Sequence, residues 1–167
     1  MTEITREVWI DAPKQQVWNA LADFGNVYQM SPGILKSYLT SDQKTGVGAS
    51  RHCDLALFGA SVEERISEWD EGNKIEIEIY EANKLPMVKD LVADFTLQME
   101  RGGTRLRGTF SYGMKYGPVG ALMNTLTLKS QNDKGLSAFM AGIKRYVETG
   151  EQIDSPKGLD FEAVVVA

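Results

Sequence analysis

From Arg51 to Tyr116 apolar residues recur at every second position, broken by glycine-containing turns, and the alternation resumes in phase after each turn. Such a pattern predicts antiparallel strands that share one apolar face. The segments are 49–57, 61–69, 74–82, 91–100 and 104–115, with Lys84 to Lys89 as a longer connection containing Pro86. A hairpin loop at Phe58 and Gly59 sets Leu57 against Ala60, Leu55 against Val62, Cys53 against Glu64 and Arg51 against Ile66. The turn around Asp70 to Asn73 sets Ile66 opposite Ile77 and Glu64 opposite Ile79. Gly102 and Gly103 suit a turn with positive φ at both centres, which sets Met99 against Leu106, Leu97 against Gly108 and Phe95 against Phe110. All three hairpins agree on the inner face, and that face needs a cover.

Upstream, Ile4 to Asp11 alternates as a first strand, and Pro13 opens a helix with Val17, Trp18, Leu21 and Phe24 at helical spacing. Gly25 and Asn26 end it. A short second helix or irregular segment spans Val27 to Met30, Ile34 to Thr40 is a strand, and Ser41 to Gly48 is a loop or hairpin turn. Beyond Gly117 the period becomes helical: Val119, Leu122, Met123 and Leu126 share one side, and Leu136, Phe139, Met140, Ile143 and Val147 continue a comparable stripe. Asn132, Asp133 and Gly135 are weak helix formers and predict a kink between the two runs, with Gly150 as the stop. The expected architecture is α+β: a seven-stranded curved antiparallel sheet whose concave face a long C-terminal helix closes, with one or two short helices after the first strand. Residues 1–150 form one domain. The tail 151–167 carries Phe161 and the run Val164 to Val166, apolar residues expected to pack on a sheet edge or on another chain, which leaves a homodimer open.

Composition narrows the function. With 167 residues, 43% hydrophobic and 25% charged, the chain reads as one globular domain with a real core. A net charge of -5 with scattered Lys and Arg argues against binding a phosphate backbone, so nucleic acid is not an expected partner. The single cysteine, Cys53, forms no intrachain disulfide, and the single histidine, His52, leaves no zinc-site spacing. No metal or cofactor is expected. Lacking a cationic-then-apolar leader and any apolar run of bilayer length, the chain is expected in the cytoplasm without membrane insertion.

Several segments carry a resemblance: Ile10-Asp11-Ala12-Pro13 followed by Val17 to Asp23, then Gly46 to Arg51, Glu64 to Asp70, and the terminal stretch ending Ile143 to Glu148. Over roughly residues 4 to 150 the chain resembles the helix-grip superfamily of birch-pollen allergens, lipid-transfer START domains and bacterial polyketide cyclase/dehydrase-like (SRPBCC) proteins. The resemblance implies a helix-grip fold with a sheet wrapped around the terminal helix. One departure is Gly108, where members often carry a large aromatic residue. It either widens an interior cavity or is filled by a helix residue such as Phe139 or Met140.

Parity along the strands gives the candidate cavity-lining residues. On the sheet these are Arg51, Cys53, Leu55, Glu64, Ile66, Ile77, Phe95, Leu97, Gly108, Phe110 and Tyr112, and on the helix Leu136, Phe139, Met140 and Ile143. Arg51 and Glu64 lie diagonally across their hairpin, a charged pair on an apolar wall suited to orienting a ligand carboxylate or phenol, or else paired only with each other in water. Tyr112, Met114 and Tyr116 either gate a mouth or belong to the core. His52 faces outward beside Asp54 and Arg65, and Cys53 is a buried apolar thiol without a histidine on its face. No nucleophile motif or phosphate-cradling loop appears. The leading expectation is a binding or carrier domain that encloses an apolar or amphipathic small molecule, such as a lipid, polyketide or aromatic metabolite. The alternatives are a polyketide aromatase/cyclase-like enzyme, with Arg51 stabilising an oxyanion and Glu64 or Tyr112 moving protons, and a ligand-free protein-interaction module.

Overall fold

In the computed structural model, residues 1–85 and 87–167 are described, and Pro86 of the expected connection lies outside them. In chain order the elements are β1 (Thr2–Ile10), α1 (Lys14–Ala22), a 3-10 stretch (Phe24–Gln29), β2 (Ile34–Leu39), β3 (Ser50–Leu55), β4 (Ser61–Asp70), β5 (Lys74–Asn83), β6 (Val88–Glu100) and β7 (Gly103–Met114). Then follow α2 (Gly117–Met123), a π turn (Asn124–Leu128), α3 (Lys129–Thr149) and β8 (Val164–Val166). The strands form one antiparallel curved sheet in the order β2-β3-β4-β5-β6-β7-β1-β8. The eighth strand, absent from the sequence expectation of seven, is the valine run of the tail, which pairs Val164 with Val8 and Val166 with Arg6 of the same chain. It covers the edge that β1 would otherwise expose.

Inner parity holds through the middle of the sheet, where Ile66, Ile75, Ile77, Leu97 and Leu106 are all buried against the helix side. Bulges shift it at Glu63–Glu64, at Ile66–Glu68, beyond which Trp69 packs against the core, and at Lys89–Val92, and Met99 at the end of β6 is exposed. Register is where the structure corrects the sequence reading. Phe58 and Gly59 both take positive φ (49° and 65°), and the Ala60 amide donates to the Leu57 carbonyl at 2.8 Å, so the turn itself forms as expected. Ala56, however, donates to the Gly33 carbonyl, and the Leu55 amide donates to the Ala60 carbonyl, which leaves Ala56 and Leu57 outside the ladder. Every pair then slips by two: Cys53 faces Val62, and Arg51 faces Glu64 directly instead of diagonally. A slip of two keeps every side chain on its face, because the strand period is two.

The β6–β7 hairpin moves by the same amount. Arg101 and Gly102 occupy the left-handed turn positions (φ 50° and 76°), and Gly103 begins the strand. Gly103 is required there for another reason. A Cβ on it would sit 2.5 Å from the Ile10 carbonyl oxygen and 2.7 Å from the Trp9 ring. The resulting pairs are Phe95 with Gly108, Leu97 with Leu106 and Met99 with Thr104. The middle hairpin follows expectation, with Ile66 opposite Ile77 and Glu64 opposite Ile79.

Two helical expectations change. No kink occurs at Asn132 to Gly135, which lie within α3; the irregularity is the π turn at Asn124 to Leu128. There Asn124 is turned into the core, where its Oδ1 accepts the Tyr112 hydroxyl at 2.7 Å and its Nδ2 donates to Thr2 Oγ1 at 2.9 Å. Satisfying a buried tyrosine and a buried amide together is the gain that accompanies the extra residue in the turn. The stripe Val119, Leu122, Met123 and Leu126 does not cover the sheet: these side chains are exposed, and the cover is α3 through Leu136, Met140, Ile143 and Val147.

Candidate ligand-binding cavity

The space between sheet and α3 has two unlike halves. At one end Ile66, Leu97, Leu106, Met140 and Ile143 pack into solid core. Toward the other end the walls separate and leave a half-open cavity of about 650 Å³, within the range that holds a drug-sized molecule. The seam between the halves is at Gly108. Phe95 and Met140 close over it, and a Cβ there would meet the Phe95 ring at 2.9 Å and the Met140 sulfur at 3.0 Å. Phe95 in turn packs on Phe139, ring centroids 5.1 Å apart. The space that Gly108 vacates is therefore filled by neighbouring side chains, and the glycine does not hollow the cavity.

Of the sequence-proposed residues, Arg51, Leu55, Glu64, Ile77, Phe95, Phe110, Leu136 and Phe139 border the cavity. Cys53, Ile66, Leu97, Gly108, Tyr112, Met140 and Ile143 do not. They are interior but belong to the packed half or lie behind the wall. Tyr112, fully buried with its hydroxyl held by Asn124, neither gates a mouth nor reaches the cavity. Tyr116 is exposed at the start of α2, with φ 67°. Wall residues that the sequence reading passed over include Val62, Ile79 and Ala93, all on the inner parity, and Leu21, Val27 and Met30 beneath. The parity pattern identifies the first three; the others depend on how α1 and the 3-10 stretch fold under the sheet. Leu57 and Phe58 of the β3–β4 turn, Lys84, Leu85 and Met87 of the next connection, and Leu128 and Asn132 of the helix also border the cavity.

The wall carries one buried ion pair. Arg51 Nε lies 2.5 Å from Glu64 Oε2, and Arg51 Nη1 donates to the Phe24 carbonyl at 2.9 Å. The guanidinium also stacks over the Phe24 ring, 4.0 Å from its centroid. Among the described residues, neither Arg51 Nη2 nor Glu64 Oε1 has a hydrogen-bond partner. One donor and one acceptor of this pair, on a mainly apolar wall, are thus without a protein partner. Cys53 sits behind the pair, its Sγ 3.6 Å from Glu64 Oε2. Burial, reinforced by the Glu64 charge, raises the thiol pKa well above its ordinary value, so Cys53 is a packed thiol and not a nucleophile. On the opposite face His52 stacks on Tyr38, contacts Glu63 through Nδ1 and lies 3.0 Å from Asp54 Oδ1 through Nε2. Hydrogen bonds to Glu63 and then Asp54 raise its pKa. Among the described residues no cluster of three or more His, Cys, Asp or Glu side chains could hold a metal ion, and no helix is long and apolar enough to cross a membrane.

Solved structures share this architecture at low sequence identity. The TTHA0849 protein of Thermus thermophilus superposes with a TM-score of 0.73 at 17% identity, covering 87% of this chain and 97% of its own. Ara h 8.0201 gives a TM-score of 0.64 at 16% identity, covering 87% and 97%. The Aha1 dimer from Colwellia psychrerythraea gives 0.65 at 14% identity, covering 90% and 98%. These likenesses establish the fold alone. No functionally curated protein matches the sequence. The family model described as polyketide cyclase / dehydrase and lipid transport matches residues 1–148, and the chain belongs to that family.

Proposed function

We propose that the protein is a binding or carrier domain that encloses one amphipathic small molecule, a lipid, polyketide or aromatic metabolite, in the cavity between sheet and α3. The observation that carries this reading is the combination of a half-open pocket of about 650 Å³ with a single buried ion pair on a mainly apolar wall. Affinity would come from apolar burial, on the order of 25 cal/mol per Å², reduced by the cost of immobilising the ligand. Arg51 Nη2 and Glu64 Oε1 would fix orientation by donating to a ligand carbonyl and accepting from a ligand hydroxyl. Native mass spectrometry of gently purified protein tests this. A retained small molecule at one per chain is expected; protein that carries none and takes up none from a panel of fatty acids and polycyclic phenols contradicts it.

A second reading, a cyclase-like enzyme, is favoured by the same pair, because a guanidinium N–H beside a carboxylate can stabilise an enolate oxygen and accept a proton. Tyr112 has no part in it, being held by Asn124 away from the cavity. Turnover of a poly-β-ketone thioester that disappears in Arg51→Met would support catalysis. The third expectation, an interaction module without a ligand, gains nothing from an interior with this much open space.

A further inference from the structure

The stripe on α2 reads as core in the sequence and is bare in the structure. Val119, Leu122 and Leu126 are 66%, 61% and 66% exposed, and Tyr116 and Met123 beside them are exposed as well. Gly120 is the buried residue of α2. An unbroken row of large apolar side chains on one helical face, left in water, calls for a partner.

Charge identifies the partner. The stripe is bracketed by lysines, Lys115 one turn before Val119 and Lys129 just past Leu126, both exposed. Lys134 follows at the cavity wall, and Lys84 stands exposed on the same rim. The acidic side chain between Met114 and Gly135 is Asp133, which is paired with Arg6 at 2.5 Å. A chain of net charge -5 thus presents a cationic, apolar face here. A second copy docked by a twofold axis would oppose these lysines to one another. An anionic bilayer suits both features: apolar side chains enter the acyl boundary while lysine stems extend along it and place their ammonium groups at phosphates.

We propose that α2 and the adjoining π turn form an interfacial docking surface for membranes containing anionic phospholipid. The surface runs directly into the cavity: Leu128, at the end of the π turn, borders it, as does Phe58, 86% exposed on the β3–β4 turn. Docking through the stripe brings the cavity rim to the headgroup region. The proposal does not depend on what the cavity binds, since vesicle binding is measured without added ligand.

Flotation of the full chain with vesicles of phosphatidylcholine alone, and of phosphatidylcholine with phosphatidylglycerol, tests it. Co-flotation is expected with the anionic vesicles only, weakening as salt is raised. Lys115→Gln and Lys129→Gln each lower the partition coefficient by about fivefold. Leu122→Ser with Leu126→Ser lowers it by roughly tenfold or more. All four side chains are exposed, so the variants keep the parent's thermal midpoint, which is checked alongside. Absence of binding to anionic vesicles, equal binding to both compositions, or undiminished binding in the leucine variant would overturn the proposal. So would a dimer in sedimentation that the leucine variant converts to monomer.

Discussion

Arg51 and Glu64 stand directly opposite each other on β3 and β4, Nε 2.5 Å from Oε2, with both side chains largely withdrawn from water on the cavity wall. Placing one charge there without the other is costly. Arg51→Met and Glu64→Gln each should lower unfolding free energy by about 3 to 5 kcal/mol. The double variant Arg51→Met with Glu64→Leu should recover most of that loss while losing orientation-dependent ligand selectivity. Urea unfolding of the parent, Arg51→Met, Glu64→Leu and the Arg51→Met/Glu64→Leu double variant, treated as a double-mutant cycle, measures the coupling.

Tyr112 and Asn124 give a second test, because the hydroxyl-to-amide bond closes the π turn. Tyr112→Phe leaves the Asn124 oxygen buried without its donor and should cost about 1 to 3 kcal/mol. Ligand affinity should be unchanged, since neither residue borders the cavity. Parallel denaturation and binding titrations separate the two effects.

Met140 fills the space left by Gly108, its sulfur 3.0 Å from where a Cβ would stand. Met140→Ala should destabilise by about 2 to 5 kcal/mol and extend the cavity toward the packed half. Gly108→Val, forcing Phe95 and Met140 aside, should cost about 1 to 3 kcal/mol. Thermal unfolding checks both. A crystal structure of Met140→Ala should show continuous space past Phe95.

His52 makes stability depend on pH. Glu63 and Asp54 hold its proton more tightly in the folded chain, so its folded pKa lies above the unfolded value of 6.5. Between those two values the native state binds more protons than the unfolded state, and stability falls as pH rises. The contribution is complete below pH 6.5 and is lost as pH passes the folded value. His52→Gln should flatten the dependence of the thermal midpoint over that window, and NMR titration of the ring protons should place the folded pKa above 6.5.

Which side chains face inward was legible in the sequence, because alternation fixes the face of a strand. Which residues face each other was not. Ala56 bonding to Gly33, and Gly103 serving β1 packing instead of the turn, are tertiary events that slip two hairpins by two residues without changing the side of any residue. The stripe from Val119 to Leu126 failed differently: helical periodicity marks an apolar face and carries no information on what covers it. Asn124 was invisible for the same reason, since the partner that draws it inward is on β7. The candidate pair Arg51 and Glu64 came from parity alone; its burial and direct pairing required the register.

The central claim is that the space between sheet and α3 receives one amphipathic molecule. Ala93 lines that space from β6 and is itself buried, so Ala93→Phe puts a ring into the cavity without touching the Arg51–Glu64 pair. Titration with an environment-sensitive apolar dye should show saturable one-to-one binding to the parent and its loss in Ala93→Phe, with the variant still cooperatively folded. Equal dye binding by parent and folded variant, or no saturable binding by the parent, would contradict the account.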